Sequence, residues 1–176
     1  MPDDKPLPVS SSEPPKFAPG QEVLFREVLL LMNESGIPYV VSGAFALHEH
    51  TGIWRDTKDL DIFLPPGQVP NALELLKESG FVCDICDPVW LAKVRRGAYF
   101  VDLITGMSNA VIRVEQSWID RAVDSEVLSV PVKVLAAEEL IASKVFVTRR
   151  ERFDGADIAH IVYAAGNTMD WSRLLQ

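Results

Sequence analysis

Apolar positions in this chain switch repeatedly between helical and strand spacing. In QEVLFREVLLLMNES, Val23, Leu24, Val28, Leu31 and Met32 fall on one stripe, which predicts a helix. Gly36 stops it, and after Pro38 the short run PYVVS reads as a strand that Gly43 ends. AFALHEHTG reads as a short helix closed by Gly52. DLDIFL is the next strand, ended by Pro65-Pro66-Gly67. VPNALELLKESG is amphipathic, with Val69, Leu73 and Leu76 inward and Gly80 as its stop. FVCDICD reads as a strand. PVWLAKVRRG and AYFVDLITG read as a strand pair about Arg96-Gly97-Ala98. SWIDRAV is a short helix, and VLSVPVKVL an extended stretch broken by Pro131. The remainder is helical: AAEELIASKVFVTRRERF, DGADIAHIVYAAG and the start of a helix at MDWSRLLQ, which stops in mid-pattern and leaves open whether the native chain runs past Gln176.

This order predicts an α/β (α+β) fold: a mixed β-sheet flanked by helices, with a small C-terminal helical part. Residues 1–19, rich in Pro and Ser, read as a flexible tail. Residues 20–135 form the α/β domain, and residues 136–176 form helices packed on it. There is no internal repeat.

Composition narrows the function classes. Apolar residues make up 48% of the 176 residues and charged residues 24%, ordinary for a globular protein. Apolar runs such as VLLLM are far too short to span a bilayer. The first 20 residues lack the basic start and apolar core of a secretory signal, so the expected compartment is the cytoplasm, with no membrane partner. A formal net charge of −8 disfavours a long nucleic-acid partner, which needs many phosphates neutralised. A local basic patch, for which Lys144 to Arg152 is the candidate, would still accept a nucleic-acid end. Cys83 and Cys86 in CDIC have no second CxxC, and His48 and His50 stand at no recognised metal spacing to them, so they read as two small apolar residues in a reducing compartment.

The candidate chemistry lies in RDTKDLDIFL. A chain with 13 Asp yields about one D-x-D by chance, so context must carry the argument. On a strand, residues two apart share a face and lie ~6.6 Å apart along the chain. Asp59 and Asp61 then face one way, while Leu60, Ile62 and Leu64 face the other. Two such carboxylates can bracket divalent ions, and oxygen-only ligands suit Mg²⁺ or Mn²⁺. The competing reading is an acidic strand entrance facing water.

Three features add weight. Asp102 stands inside the apolar strand YFVDLITG, sharing a face with Phe100 and Ile104, where an unpartnered charge is costly. If this strand lies beside DLDIF, Asp102 joins the same surface; otherwise it is a solvated residue on a one-sided sheet. In VVSGAFAL, Ser42-Gly43 joins a strand to a helix N-terminus, a generic anion site. Lys144 lies between Leu140 and Ile141 on an apolar helix face; such lysines mostly reach for water, and a minority point into a cleft and hold phosphate. Arg149, Arg150 and Arg152 read as a solvated or helix-terminal cluster. Asp154 reads as the N-cap of the next helix and Asp157 as part of its first turn.

Taken together, SGAFALHEHTGIWRDTKDLDIFL resembles the signature of the nucleotidyltransferase superfamily, the DNA polymerase beta-like fold. That signature is a Gly-Gly or Gly-Ser turn opening a helix, then an R-x-T/S-x-D-h-D strand. Arg55, Thr57, Asp59 and Asp61 stand at its places. Asp102 matches the third acidic residue that a later strand supplies. EELIASKVFVTRRERFDGADIAHI resembles the helical part of minimal bacterial members, including nucleotidyltransferase-type toxins, with Lys144, Asp154 and Asp157 at matching positions. The resemblance spans roughly residues 22 to 165. One departure stands out: Ser42-Gly43-Ala44 replaces the usual pair, which displaces the hydroxyl that family members set on phosphate.

The resemblance implies a metal-dependent enzyme that transfers a nucleotidyl group from an NTP, ATP among the candidates, to a hydroxyl. Asp59, Asp61 and Asp102 would be catalytic and hold two Mg²⁺ or Mn²⁺. Ser42, Gly43, Arg55, Thr57, Lys144, Asp154 and Asp157 would contact the nucleotide. For Arg55, an ion pair with Asp59 or Asp56 is an equal alternative. The acceptor stays open among a small molecule, an RNA end and a protein hydroxyl. A non-catalytic nucleotide- or partner-binding member of the fold is the alternative, favoured by the altered turn and disfavoured by the three aspartates. A metal-dependent phosphodiesterase is a third reading.

Overall fold

The computed structural model describes residues 13–55, 57–107, 112–147 and 154–175. Most of the tail expected over 1–19, together with Asp56, Arg149, Arg150, Arg152 and Gln176, lies outside the described residues. Among the described residues, seven α-helices flank one seven-stranded mixed sheet.

The chain opens with α1 (Pro19–Ser35), the two-residue strand β1 (Val40–Val41) and α2 (Gly43–Thr51). Then come β2 (Leu60–Phe63), a 3₁₀ turn over Pro66–Gln68, α3 (Val69–Glu78), β3 (Val82–Asp87), β4 (Leu91–Arg96) and β5 (Tyr99–Ile104). After α4 (Gln116–Asp120), a hairpin of β6 (Val123–Val127) and β7 (Val130–Val134) leads to α5 (Ala137–Val147), α6 (Gly155–Ala165) and α7 (Trp171–Leu174). The strand order is β3-β4-β5-β2-β1-β7-β6, with β2 central. β2 runs parallel to β5 and antiparallel to β1, which runs parallel to β7.

The register of β2 and β5 sets up the site. Leu60 pairs with Val101, Asp61 with Asp102, and Ile62 with Leu103. All four apolar partners are wholly buried, so alternation sends Asp61 and Asp102 together to the opposite face. α1 packs against β5 and β7, and α3 against β3 and α1; α2 packs against α5 and α6. The left-handed residue Gly36 ends α1 and Gly52 ends α2, at the stops read from the sequence.

Two expectations need correction. The buried face of α1 is carried by Leu24, Phe25, Val28, Leu29 and Met32, while Val23 is exposed and Leu31 only half-buried. The helix is rotated by about one position, bringing the bulky Phe25 inward against Phe17, with ring centroids 5.5 Å apart. The stretch VLSVPVKVL breaks at Leu128-Ser129, not at Pro131. These two residues take φ values of 50° and 59°, the left-handed pair of a two-residue hairpin. Pro131 lies within β7 opposite Glu126, and its carbonyl accepts a 2.8 Å hydrogen bond from the Asn33 side chain. Its backbone therefore points out of the hairpin, where a missing N–H costs the ladder nothing.

Candidate active site

The turn from β1 into α2 is fitted around Asp61. The Ser42 amide donates to the Asp61 carbonyl at 2.9 Å. Gly43 takes φ +61°, and a Cβ built there would lie 2.1 Å from Asp61 Oδ2. Only glycine satisfies both the conformation and the approach. Ser42 is buried at the N-cap position of α2, and its hydroxyl makes no capping bond.

Asp59, Asp61 and Asp102 converge, each offering an oxygen within 4.8 Å of the others. Asp59 precedes β2 and is held by Thr57, whose hydroxyl donates to the Asp59 carbonyl at 2.9 Å and to its Oδ1 at 3.1 Å. Asp102 is the most buried of the three, and Lys93 Nζ donates to its Oδ1 at 2.5 Å. Burial is the main influence on the Asp102 carboxyl and pushes it above the ordinary value; Lys93 pulls against that, and the charge of Asp59 adds to the upward push. An oxygen-only set of three carboxylates fits a hard divalent cation such as Mg²⁺ or Mn²⁺, and fits zinc poorly.

A second charge cluster borders the first. Lys144 is buried, and its Nζ donates to Asp157 Oδ2 at 2.8 Å. Arg55 reaches the other oxygen of Asp157 at 2.5 Å. Burial would raise the Asp157 carboxyl, but the bonds and charges of Lys144 and then Arg55 outweigh it and hold Asp157 below its ordinary value. The alternative reading of Arg55 as an ion-pair partner of Asp59 or Asp56 is corrected in its partner: Arg55 pairs with Asp157, and Asp56 lies outside the described residues. Asp154 occupies the N-cap position of α6 but makes no side-chain cap bond.

The carboxylates sit between two lobes of one cleft. The larger, about 750 Å³, is bordered by Lys16, Arg55, Lys58 and Lys144. The smaller, about 220 Å³, is bordered by Asp102 and the apolar Phe63, Trp90, Ile104, Met107 and Leu140. Gly43, Asp59, Asp61, Lys144 and Asp154 line both. Cys83 and Cys86 are free thiols on β3 and line neither lobe. His48 stacks on Trp54 and His50 contacts the Leu135 carbonyl.

A family model described as nucleotidyl transferase of unknown function (DUF2204) matches residues 22–170. The chain belongs to this nucleotidyl transferase family. Comparison with curated protein sequences finds no match. Among solved structures, the fold is similar to that of the antibiotic-resistance factor ANT(2'')-Ia, with TM-score 0.57 and 13% identity over 89% of this chain and 87% of that one. The lincosamide antibiotic adenylyltransferase LnuA gives TM-score 0.55 and 14% identity over 83% and 98%. An antigenic nucleotidyltransferase-like protein from Paracoccidioides brasiliensis gives 0.52 and 17% over 90% and 82%. At these identities the likeness is one of fold.

Of the residues singled out in the sequence, the cleft of this family member gathers Ser42, Gly43, Arg55, Thr57, Asp59, Asp61, Asp102, Lys144, Asp154 and Asp157 along its walls. Lys93 escaped sequence reasoning. It occupies one place in the alternating strand LAKVRR, flanked by the buried Ala92 and Val94, which marks a face but not what lies across from it. Only the β4–β5 register sets it opposite Asp102.

Proposed function

We propose that this protein transfers a nucleotidyl group from an NTP to a hydroxyl of a small-molecule acceptor, with Mg²⁺ or Mn²⁺ held by Asp59, Asp61 and Asp102. The observation that carries the reading is the convergence of three carboxylates to within 4.8 Å beside the Gly43 turn. Bound divalent ions would neutralise charge on the triphosphate and favour in-line attack at its α-phosphorus, with pyrophosphate leaving. The N–H groups opening α2 and the ammonium of Lys144 bind the phosphates, and Arg55 steadies them from the larger lobe. Thr57 keeps Asp59 oriented. Asp102 receives the proton of the acceptor hydroxyl.

The two lobes supply the choice of acceptor. Phosphates suit the lobe bordered by Lys16, Arg55, Lys58 and Lys144, which leaves the smaller lobe beside Asp102, where Lys144 faces four aspartates and a group of apolar side chains, for the acceptor. A cavity of about 220 Å³ is small even for a drug-sized ligand. Its border sets Asp59, Asp61, Asp102 and Asp154 against Lys144, beside apolar side chains, and so offers little to a polyanionic RNA end, which binds through many cationic contacts. LnuA was solved with lincomycin and ANT(2'')-Ia with adenylyl-2''-tobramycin, so chains of this fold do act on small molecules.

The test has two arms. Calorimetric titration with each NTP, with and without Mg²⁺, is expected to show metal-dependent binding that Asp61→Ala abolishes. Incubation with α-labelled NTPs and separated extract fractions is expected to label a small molecule. Binding that ignores both metal and Asp61→Ala would sink the enzyme reading. Metal-dependent binding without labelled product in any fraction would favour a non-catalytic nucleotide binder, and label in RNA or protein would overturn the acceptor class.

A further inference from the structure

We propose that Lys93 is a resident counter-cation of the carboxylate cluster: its ammonium holds Asp102 when no metal is bound and competes with a divalent ion for that carboxylate. The inference rests on the metal-binding reading of Asp59, Asp61 and Asp102.

Three carboxylates with oxygens within 4.8 Å repel one another, and Asp102 is the one least able to shed its charge to water. β4 and β5 set Lys93 directly across from it. The ammonium lies 2.5 Å from Asp102 Oδ1, with the Lys93 side chain 20% exposed and that of Asp102 12%. This pair is too enclosed to be a passing surface contact. Two places along β4 from Lys93, Arg95 is engaged by Asp84 on β3 at 3.1 Å. The Lys93 ammonium also sits 3.9 Å from the centroid of the Phe100 ring. Phe100 shares a strand face with Asp102, so the ammonium keeps a favourable seat on the aromatic face when a metal claims the carboxylate.

The arrangement solves a folding problem and creates a threshold. Without metal, one positive charge offsets the most buried of three negative ones. With metal, a divalent ion must displace that charge, so a bare ion is held less tightly than three carboxylates would otherwise hold it. Lys93 is thus a positioning residue for Asp102 and sets the affinity of the site for its cation.

Mn²⁺ titration of the full chain, followed by electron paramagnetic resonance without nucleotide, tests this. Lys93→Met is expected to tighten Mn²⁺ binding about tenfold or more, because a unit positive charge next to a ligand oxygen is removed. Its unfolding midpoint in EDTA should fall, and the rise on adding Mn²⁺ should exceed that of the wild type. Lys93→Arg should stay within about threefold of the wild type. Lys93→Gln, which keeps the stem and a donor, replaces Lys93→Met if the latter does not fold. A purely structural role would lower stability without tightening the metal, and a measurable Mn²⁺ affinity that is unchanged or weaker in Lys93→Met and Lys93→Gln overturns the proposal. Failure of the wild type and every variant to bind Mn²⁺ would overturn it differently, by removing the metal reading on which it rests.

Discussion

Replacing Gly43 by alanine separates two effects that a glycine usually confounds. The residue sits at φ +61°, where an L-amino acid costs roughly 1–2 kcal/mol. That strain alone should lower stability by about that amount. The second effect is local. The new Cβ would meet Asp61 Oδ2 at 2.1 Å, about an ångström inside any tolerable contact. The Asp61 backbone is tied to the same turn through the Ser42 amide, so the strand does not yield easily, and the carboxylate must swing away. The cluster then keeps two of its three ligands in place. Losing the support that orients a ligand typically costs 10–100-fold in metal affinity, and a loss in that range is expected for Gly43→Ala. Gly36 and Gly52 provide the controls: they take φ +69° and +70°, and a Cβ at either meets nothing within 4 Å. Urea unfolding of all three alanine variants should show similar losses, whereas Mn²⁺ titration and metal-dependent NTP binding should suffer in Gly43→Ala alone. Wild-type metal affinity in Gly43→Ala, or an equal loss in Gly52→Ala, would refute the argument that this glycine exists to admit Asp61.

Lys144→Met should destabilise the fold by about 3 kcal/mol, the low end for breaking a buried pair, because Arg55 still reaches Asp157; denaturant titration showing a loss under 1 kcal/mol would reject the pair as buried and matched. Asp157 is held below its ordinary value of 3.8, so its contribution to stability is complete above that pH and disappears as pH falls through its lowered folded value. The acid limb of the wild-type stability profile should therefore be steeper than that of Asp157→Asn, as measured by unfolding from about pH 5 down to about pH 2; parallel limbs over that window would contradict the shift. Ser129→Gly should raise stability by about 1 kcal/mol by relieving a left-handed residue in the β6–β7 turn, and a lower midpoint of unfolding would show that the Ser129 side chain makes a compensating contact.

The features legible in the sequence were those that act over a few residues. Gly36 and Gly52 stop helices because a left-handed residue satisfies the last carbonyls locally, and DLDIF reads as a strand because Leu60 and Ile62 alternate with Asp61. The hairpin at Leu128-Ser129 was illegible for the same kind of reason. It carries no glycine, asparagine or aspartate to announce left-handed backbone, while Pro131 announces a break that its outward-facing position makes unnecessary. The rotation of α1 is set by what the helix packs against, and hydrophobic spacing fixes such a face only to within a residue.

The candidate site shows where local signals end. D-x-D was common enough by chance to mean little, and its weight came from Asp102, which shares a face with Asp61 only because β2 and β5 pair in parallel with those two residues in register. Two charges in the site are then answered from other elements: Asp102 by Lys93 across a strand pair, and Asp157 by Lys144 on the preceding helix and by Arg55, 102 residues away. A sequence displays charges one at a time, so Arg55 and Lys144 both look available for phosphate. In the fold they already share one carboxylate, and a triphosphate entering the larger lobe has to compete with Asp157 for both. Asp157→Asn should therefore strengthen metal-dependent NTP binding even as it weakens the fold. A loss of both would mean that Asp157 holds the two cations in the positions a phosphate needs, and calorimetric titration alongside urea unfolding of the same variant tells these outcomes apart.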